Sequence, residues 1–185
     1  MTTFRLILIA SLLASATAYA QKHRDPLTQP EIEKIRDTSW EPRLRLPLYV
    51  DFARARLLKL EQARSDSKNA DRIKQTHDLL DDFQLLYDEL NDNIDTYVDR
   101  RDDIRKPLKI IIDADAEFQA KLRALKDADV PRSEAQQYEF VLNNAIETVD
   151  NSAEDHKKLL QDQEEQAKRK KLNKNPSAGT GVSPE

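Results

Sequence analysis

Residues 73–104 read IKQTHDLLDDFQLLYDELNDNIDTYVDRRDDI, and the spacing of apolar residues in this stretch indicates the fold class. One set of positions in it is spaced by three and four residues in strict alternation: Ile73, Thr76, Leu80, Phe83, Tyr87, Leu90, Ile94, Tyr97, Arg101 and Ile104. Eight of these ten residues are apolar or aromatic. Such a seam is the heptad pattern of a helix that packs lengthwise against other helices.

The phase of the seam continues beyond Pro107, where it is carried by Leu108, Ile111, Asp115, Phe118, Leu122 and Leu125. Because a loop has no need to preserve this phase, we predict one long helix over residues 68–128, kinked near Pro107. Two helices separated by a tight turn are the alternative.

Two helices are predicted before the seam. Thr28 and Glu31 are spaced as a capping box and predict a short helix that ends near Thr38. A second apolar face runs to about Arg64 and is carried by Leu46, Val50, Ala53, Leu57 and Leu60. Since proline disrupts a helix interior, we expect its regular part to begin at Pro47, with Trp40 and Leu44 packing from a kinked lead-in.

A last helix is predicted after the break at Val130 and Pro131, with Ser133 and Gln136 as a second capping box. Its buried face is carried by Tyr138, Leu142, Ile146, Val149, Ala153, His156 and Leu160. We therefore predict an all-α fold, an elongated antiparallel helical bundle with coiled-coil-like packing of three to four helices. The bundle domain covers residues 21–172, and residues 173–185 form a disordered tail. The long apolar stripe also suggests self-association.

Composition excludes several classes of function. The chain of 185 residues has no cysteine, which removes disulfides, thiolate metal sites and a catalytic thiol. Both glycines, Gly179 and Gly181, lie in the last seven residues, so the helical region has no glycine-rich phosphate loop and no nucleophile elbow. We expect no cofactor.

The N-terminus has the layout of a secretory signal peptide. Arg5 precedes an apolar run, and Ala18, Tyr19 and Ala20 form a cleavage site before Gln21. A membrane anchor would need roughly 20 apolar residues, which this segment does not have. We predict a signal peptide over residues 1–20, a secreted or periplasmic mature protein, and no stable membrane insertion after cleavage.

The mature chain is acidic. Without Arg5 it has 29 Lys and Arg against 34 Asp and Glu, a net charge of -5. Its basic residues cluster in two places, within residues 43–64 and at residues 168–171, without the interleaved aromatic residues of a nucleic-acid site. We therefore expect no nucleic-acid partner.

Four polar residues on helices are candidates for chemistry. His77 and His156 lie on separate helices, and His77 is four residues before Asp81, within reach for a pair. Arg101 and Asp115 interrupt the seam, where each is either a polar contact that sets register or a solvated position near Pro107.

A ridge of aspartates follows the outer side of the seam helix. Between Gln75 and Asp99 there are eight acids and no Lys or Arg. The ridge comprises Asp78, Asp81, Asp88, Asp92, Asp95, Asp99 and Asp102, and its candidate binding residues are Asp88, Asp92, Asp95, Asp99 and Asp102. Solubility is its simplest use. Weak divalent-cation binding or docking of a basic partner are the alternatives, since lined carboxylates concentrate cations. The basic segment 43–64 could also neutralise the charge of this aspartate ridge.

Together these patterns predict an exported, non-enzymatic helical protein that acts through protein association, either with a partner or with itself, in the cell envelope. No residue is assigned a catalytic role. The alternative is an enzyme or metal-dependent protein with a site between helices, using His77, His156 and nearby carboxylates.

Overall fold

The computed structural model describes residues 25–66 and 68–174. The predicted signal peptide and the tail from residue 175 lie outside the described residues. The described chain forms six helices and no strand: α1 (Gln29–Asp37), α2 (Pro42–Ser65), α3 (Arg72–Asp99), α4 (Arg105–Lys126), α5 (Arg132–Ala135) and α6 (Glu139–Lys174). The predicted all-α bundle is confirmed, with more helices than expected because the stretch predicted as one long helix forms two, α3 and α4, and α5 is a short addition.

The four long helices surround one core. α2 and α3 form an antiparallel hairpin, and α4 and α6 form a second one. α3 packs beside α2 and α6, and α4 packs beside the same two helices, so the consecutive helices α3 and α4 are diagonal across the bundle. Residue pairings along the other two sides show that α2 runs parallel to α4 and α3 parallel to α6. The 36 residues of α6 span about 54 Å, which makes the bundle elongated.

The seam forms this core. Every seam residue is buried except Ile73, which is half-buried, and Arg101, which is exposed. At the centre, the Phe118 ring of α4 meets the Phe83 ring of α3 edge to face, with centroids 5.3 Å apart, and Tyr87 lies next to both. The three and four spacing therefore identified the buried face correctly.

The prediction of one long helix was wrong. α3 ends at Asp99, and the chain reverses through a Schellman motif in which Asp102 N–H donates to the Tyr97 carbonyl at 2.9 Å and Arg101 N–H donates to the Val98 carbonyl at 2.8 Å. Arg101 takes the left-handed conformation, with φ of 61°, that this motif requires. Pro107 lies in the first turn of α4, where its missing N–H costs nothing.

Two other local predictions were wrong. α2 begins at Pro42 and continues through Pro47, and the expected lead-in does not pack, since Trp40 is 81% exposed and Leu44 57% exposed. The Arg100 guanidinium lies over the Trp40 ring at 5.6 Å instead.

The second wrong prediction concerns the start of the last helix. The residue before the short helix α5 is Pro131, so Ser133 lies inside α5 and caps no helix. Three residues then separate α5 from α6, which begins at Glu139.

The first helix formed as predicted and is anchored to α2. Thr28 N–H donates to the Glu31 side chain at 2.8 Å, as in a capping box. The buried Arg56 guanidinium donates to both Glu31 oxygens, at 2.8 and 2.6 Å. Burial by itself would raise the pKa of Glu31, but the bonds from Arg56 and Thr28 outweigh it and lower the pKa to about 2.

Candidate functional site

A chain of polar side chains crosses the bundle interior beside the aromatic cluster. The Tyr87 hydroxyl of α3 donates to Asp115 Oδ1 of α4 at 2.6 Å, and His156 Nδ1 of α6 lies 2.9 Å from Asp115 Oδ2. All three residues are buried, with Asp115 1% and His156 4% exposed. The network therefore connects three of the four long helices, and of the two readings left open for Asp115 the structure supports the polar contact.

The network continues towards the surface between α3 and α6. His156 Nε2 lies 3.2 Å from Asn91 Oδ1, and the Asn91 amide donates to the Ser152 hydroxyl at 2.9 Å. Because an ionised carboxylate only accepts hydrogen bonds, Asp115 accepts from Nδ1–H of the imidazole. Burial and the neighbouring Asp115 carboxylate raise the pKa of the Tyr87 hydroxyl, which keeps it protonated as a donor.

This arrangement defines what His156 can do. A carboxylate on Nδ1–H is the geometry that orients an imidazole as a general base through Nε2. Here, however, Nε2 faces Asn91, and the ring is almost fully buried. The geometry supports a link that holds α3, α4 and α6 in register, with a polar edge at the surface.

Three grooves lie in line along the side of the bundle where α3 and α6 meet. The first groove, of about 290 Å³, is lined by His77, Asp81, Gln84, Leu85, Asp88, Phe140, Val141 and Asn144. The second, of about 390 Å³, is lined by Asn91, Ile94, Asp95, Val98, Ser152, Asp155, His156 and Leu159. The third, of about 580 Å³, lies at the α3–α4 turn and includes Val98, Asp102, Leu159, Gln163 and Lys170. Each groove combines apolar and acidic residues, and the third also contains Arg101, Arg105 and Lys170.

The aspartate ridge borders these grooves. Asp81 and Asp88 line the first, Asp95 lines the second and Asp102 lines the third. Asp92 and Asp99 are exposed on the same helix. Asp102 forms an ion pair with Arg100 at 3.2 Å. The carboxylates of Asp81, Asp88, Asp92, Asp95 and Asp99 form no ion pair with any residue that the structure describes.

The basic segment 43–64 does not neutralise the ridge. Three of its arginines pair with other acids, Arg54 with Glu117 at 2.9 Å, Arg56 with Glu31, and Arg64 with Glu134 at 3.3 Å, and Arg45 donates to the Asn93 side chain at 2.7 Å. The basic segment consequently leaves five carboxylates of the ridge without a paired cation among the described residues, whereas Asp78 pairs with Lys74 and Asp102 with Arg100. Partial desolvation and the neighbouring charge of Asp92 raise the pKa of Asp88, as expected for a carboxylate without a cation nearby.

The two candidate histidines do not share a site. The His77 side chain is 50% exposed, lies 3.9 Å from Asp78 and lines the first groove, whereas His156 lines the second. His77 and Asp81 border the same groove without a hydrogen bond between them. Within residues 25–66 and 68–174, no group of three or more His, Asp or Glu side chains is placed to hold a metal ion.

Sequence reasoning missed three residues of this face. Phe140 is 80% exposed beside the first groove, and Asn91 and Ser152 extend the His156 network. Phe140 is the second residue of α6 and lies off its buried face, and an aromatic residue off the apolar face was a usable signal.

Comparison with protein families, with characterised proteins and with solved structures finds no match to this chain. Among the described helices, none combines the length and the apolar character needed to cross a membrane. The function must therefore be argued from the geometry of the α3–α6 face.

Proposed function

We propose that the mature protein is exported to the periplasm or secreted, and that it acts without catalysis, by associating with another protein molecule through the α3–α6 face. The leader-like residues 1–20 support the export, and the three aligned grooves support the association. The polar network around His156 keeps α3 and α6 at a fixed spacing and so defines the width of the face.

The composition of the α3–α6 face is the main support for this proposal. The face combines carboxylates with an exposed aromatic side chain, since Asp81 and Asp88 form no ion pair with any described residue and Phe140 beside them is 80% exposed. Exposed apolar side chains within a rim of polar residues are typical of protein interaction sites. The unpaired carboxylates repel nucleic-acid phosphates and attract basic surfaces, which supports a protein partner.

Two variants with matched surface chemistry test the proposal. Phe140→Ser removes the exposed aromatic residue from the face, and Leu58→Ser removes a 49% exposed leucine from α2, the helix diagonal to α6. Association of the tagged mature protein in its native cells should fall for Phe140→Ser and stay unchanged for Leu58→Ser. Equal behaviour of both variants would refute the use of this face.

The alternative function is an enzymatic or metal-dependent one, favoured by the Asp115–His156 pair at the edge of the second groove. A specific cation site on the ridge would make millimolar Ca²⁺ raise the melting temperature more than a monovalent salt of equal ionic strength. The triple variant Asp92→Asn, Asp95→Asn, Asp99→Asn would lose that response. Our proposal predicts equal responses to both salts.

A further inference from the structure

The end of α6 carries four adjacent basic side chains, and only one of them, Arg169, forms an ion pair with a described residue. Residues 168–173 are all exposed, and the four basic residues Lys168, Arg169, Lys170 and Lys171 are followed by Leu172, which is 73% exposed. Arg169 forms one exposed ion pair with Glu165, at 3.5 Å, and such a pair contributes little. We call residues 168–172 the basic end.

The first groove has the complementary chemistry. Its carboxylates, Asp81 and Asp88, form no ion pair with any described residue, and Phe140 lies exposed beside them. The basic end offers cations next to an exposed leucine, and the groove offers carboxylates next to an exposed phenylalanine. Charge and apolar area therefore match on both surfaces.

The two surfaces cannot meet within one molecule. Phe140 is near the start of α6 and Leu172 near its end, and a continuous helix holds them about 48 Å apart. A second copy of the chain can bring them together, and it is present at the same concentration as the first.

We propose that the basic end of one copy docks in the first groove of a second copy. This inference rests on the proposed function, because it names the partner of the same face. The contact joins two different surfaces, so it is heterologous and leaves one free groove and one free basic end, and it can repeat into linear assemblies. Opposite charges make the association strongest at low ionic strength.

Two charge-reversal variants test this contact by sedimentation velocity of the full mature chain. The groove variant is Asp81→Lys with Asp88→Lys, and the end variant is Lys168→Glu, Lys170→Glu and Lys171→Glu. All five positions are exposed, and circular dichroism verifies that both variants fold. Wild type should associate with increasing concentration at low salt and dissociate at high salt. Each variant alone should lose about tenfold or more in association constant, because like charges then face each other.

Mixing the two variants gives the sharpest result. The groove variant keeps an intact basic end and the end variant keeps an intact groove, and the reversed groove of the first also matches the reversed end of the second, so the mixture should form alternating assemblies that neither variant forms alone. A chain that carries both sets of changes should associate again. Wild type that stays monomeric at low salt, or variants that associate as wild type does, would overturn the proposal.

Two further arms separate this inference from the proposed function. In the first, a synthetic peptide of residues 161–174 binds the wild-type protein and not the groove variant, while the full chain stays monomeric. That result would overturn the second copy as occupant and would retain the face as a binding site. Binding of the chain to phosphatidylglycerol vesicles through the basic end, without self-association, would assign that end to anionic lipid and also overturn the inference.

Discussion

Asp115 of α4 and His156 of α6 lie 2.9 Å apart in the interior of the bundle, although 41 positions separate them in the sequence. Each of them occupies a position of an otherwise apolar helix face. A buried pair of this kind commonly costs more in desolvation than its attraction returns, so its value lies in specifying one arrangement of helices. Here it fixes the register of α4 against α6, and through Asn91 it positions α3 beside them.

The first prediction concerns this pair. Asp115→Leu and His156→Leu should each lower the free energy of unfolding by about 3–5 kcal/mol, because each leaves a buried polar partner without its hydrogen bond. The double variant should lose less than the sum, with a coupling of about 0.5–3 kcal/mol. Urea denaturation of the four proteins measures the cycle, and strict additivity would show that the two side chains act independently.

The second prediction concerns the turn between α3 and α4. Arg101→Gly should raise the free energy of unfolding by about 0.5–1 kcal/mol, because Arg101 has a positive φ that glycine adopts without steric cost. The control Asp95→Gly lies inside α3 and should lower the free energy of unfolding by about 1 kcal/mol. Thermal and urea unfolding report both changes. A loss of stability in Arg101→Gly would contradict the assigned role of this turn.

This turn shows where the sequence pattern is informative and where it is not. Tyr97 and Ile104 are both buried and seven positions apart, so the seam keeps its phase while the chain reverses direction between them. Periodicity reports which residues are buried, and it carries no information about chain direction. A left-handed helix end is normally marked by glycine, but here Arg101 occupies that position. The buried face was therefore predictable, and the break was not.

The third prediction concerns the anchoring of α1 at low pH. The pKa of Glu31 is lowered to about 2 in the folded state, so its contribution to stability is complete above its ordinary value of 4.5 and is lost as the pH falls towards 2. Glu31→Gln should lower the free energy of unfolding by about 2 kcal/mol at neutral pH. The difference from wild type, measured by urea denaturation across this range, should shrink as the pH falls. A difference that is independent of pH would refute the ion pair with Arg56.

The fourth prediction concerns the charge on the ridge. The pKa of Asp88 is raised, so its ionised form is less favourable in the folded state than in the unfolded chain. Asp88→Asn should therefore raise the melting temperature at neutral pH, and the gain should disappear as the pH falls through the pKa of Asp88. Asp81→Asn is the control on the same helix, away from its C-terminus, and an equal gain there would contradict the special environment of Asp88.

The candidate site was predictable only in its parts. Asp115 was recognisable as a polar interruption of the seam, His156 as a polar residue on a helix face, and the ridge as a line of charge. Their relationship depends on which helices are neighbours, and α3 packs beside α6 although α4 follows it in sequence. That choice comes from how the two hairpins pack together, which no local pattern encodes.

The most direct test of the association surface is site-specific photo-crosslinking of the mature protein in its native cells. A photoreactive residue that replaces Asn144 lies in the first groove, and one that replaces Leu58 lies on α2, the helix diagonal to α6. We expect a discrete crosslinked adduct from position 144, its loss in the Phe140→Ser background, and no adduct from position 58. The absence of an adduct from position 144, or equal adducts from both positions, would contradict it.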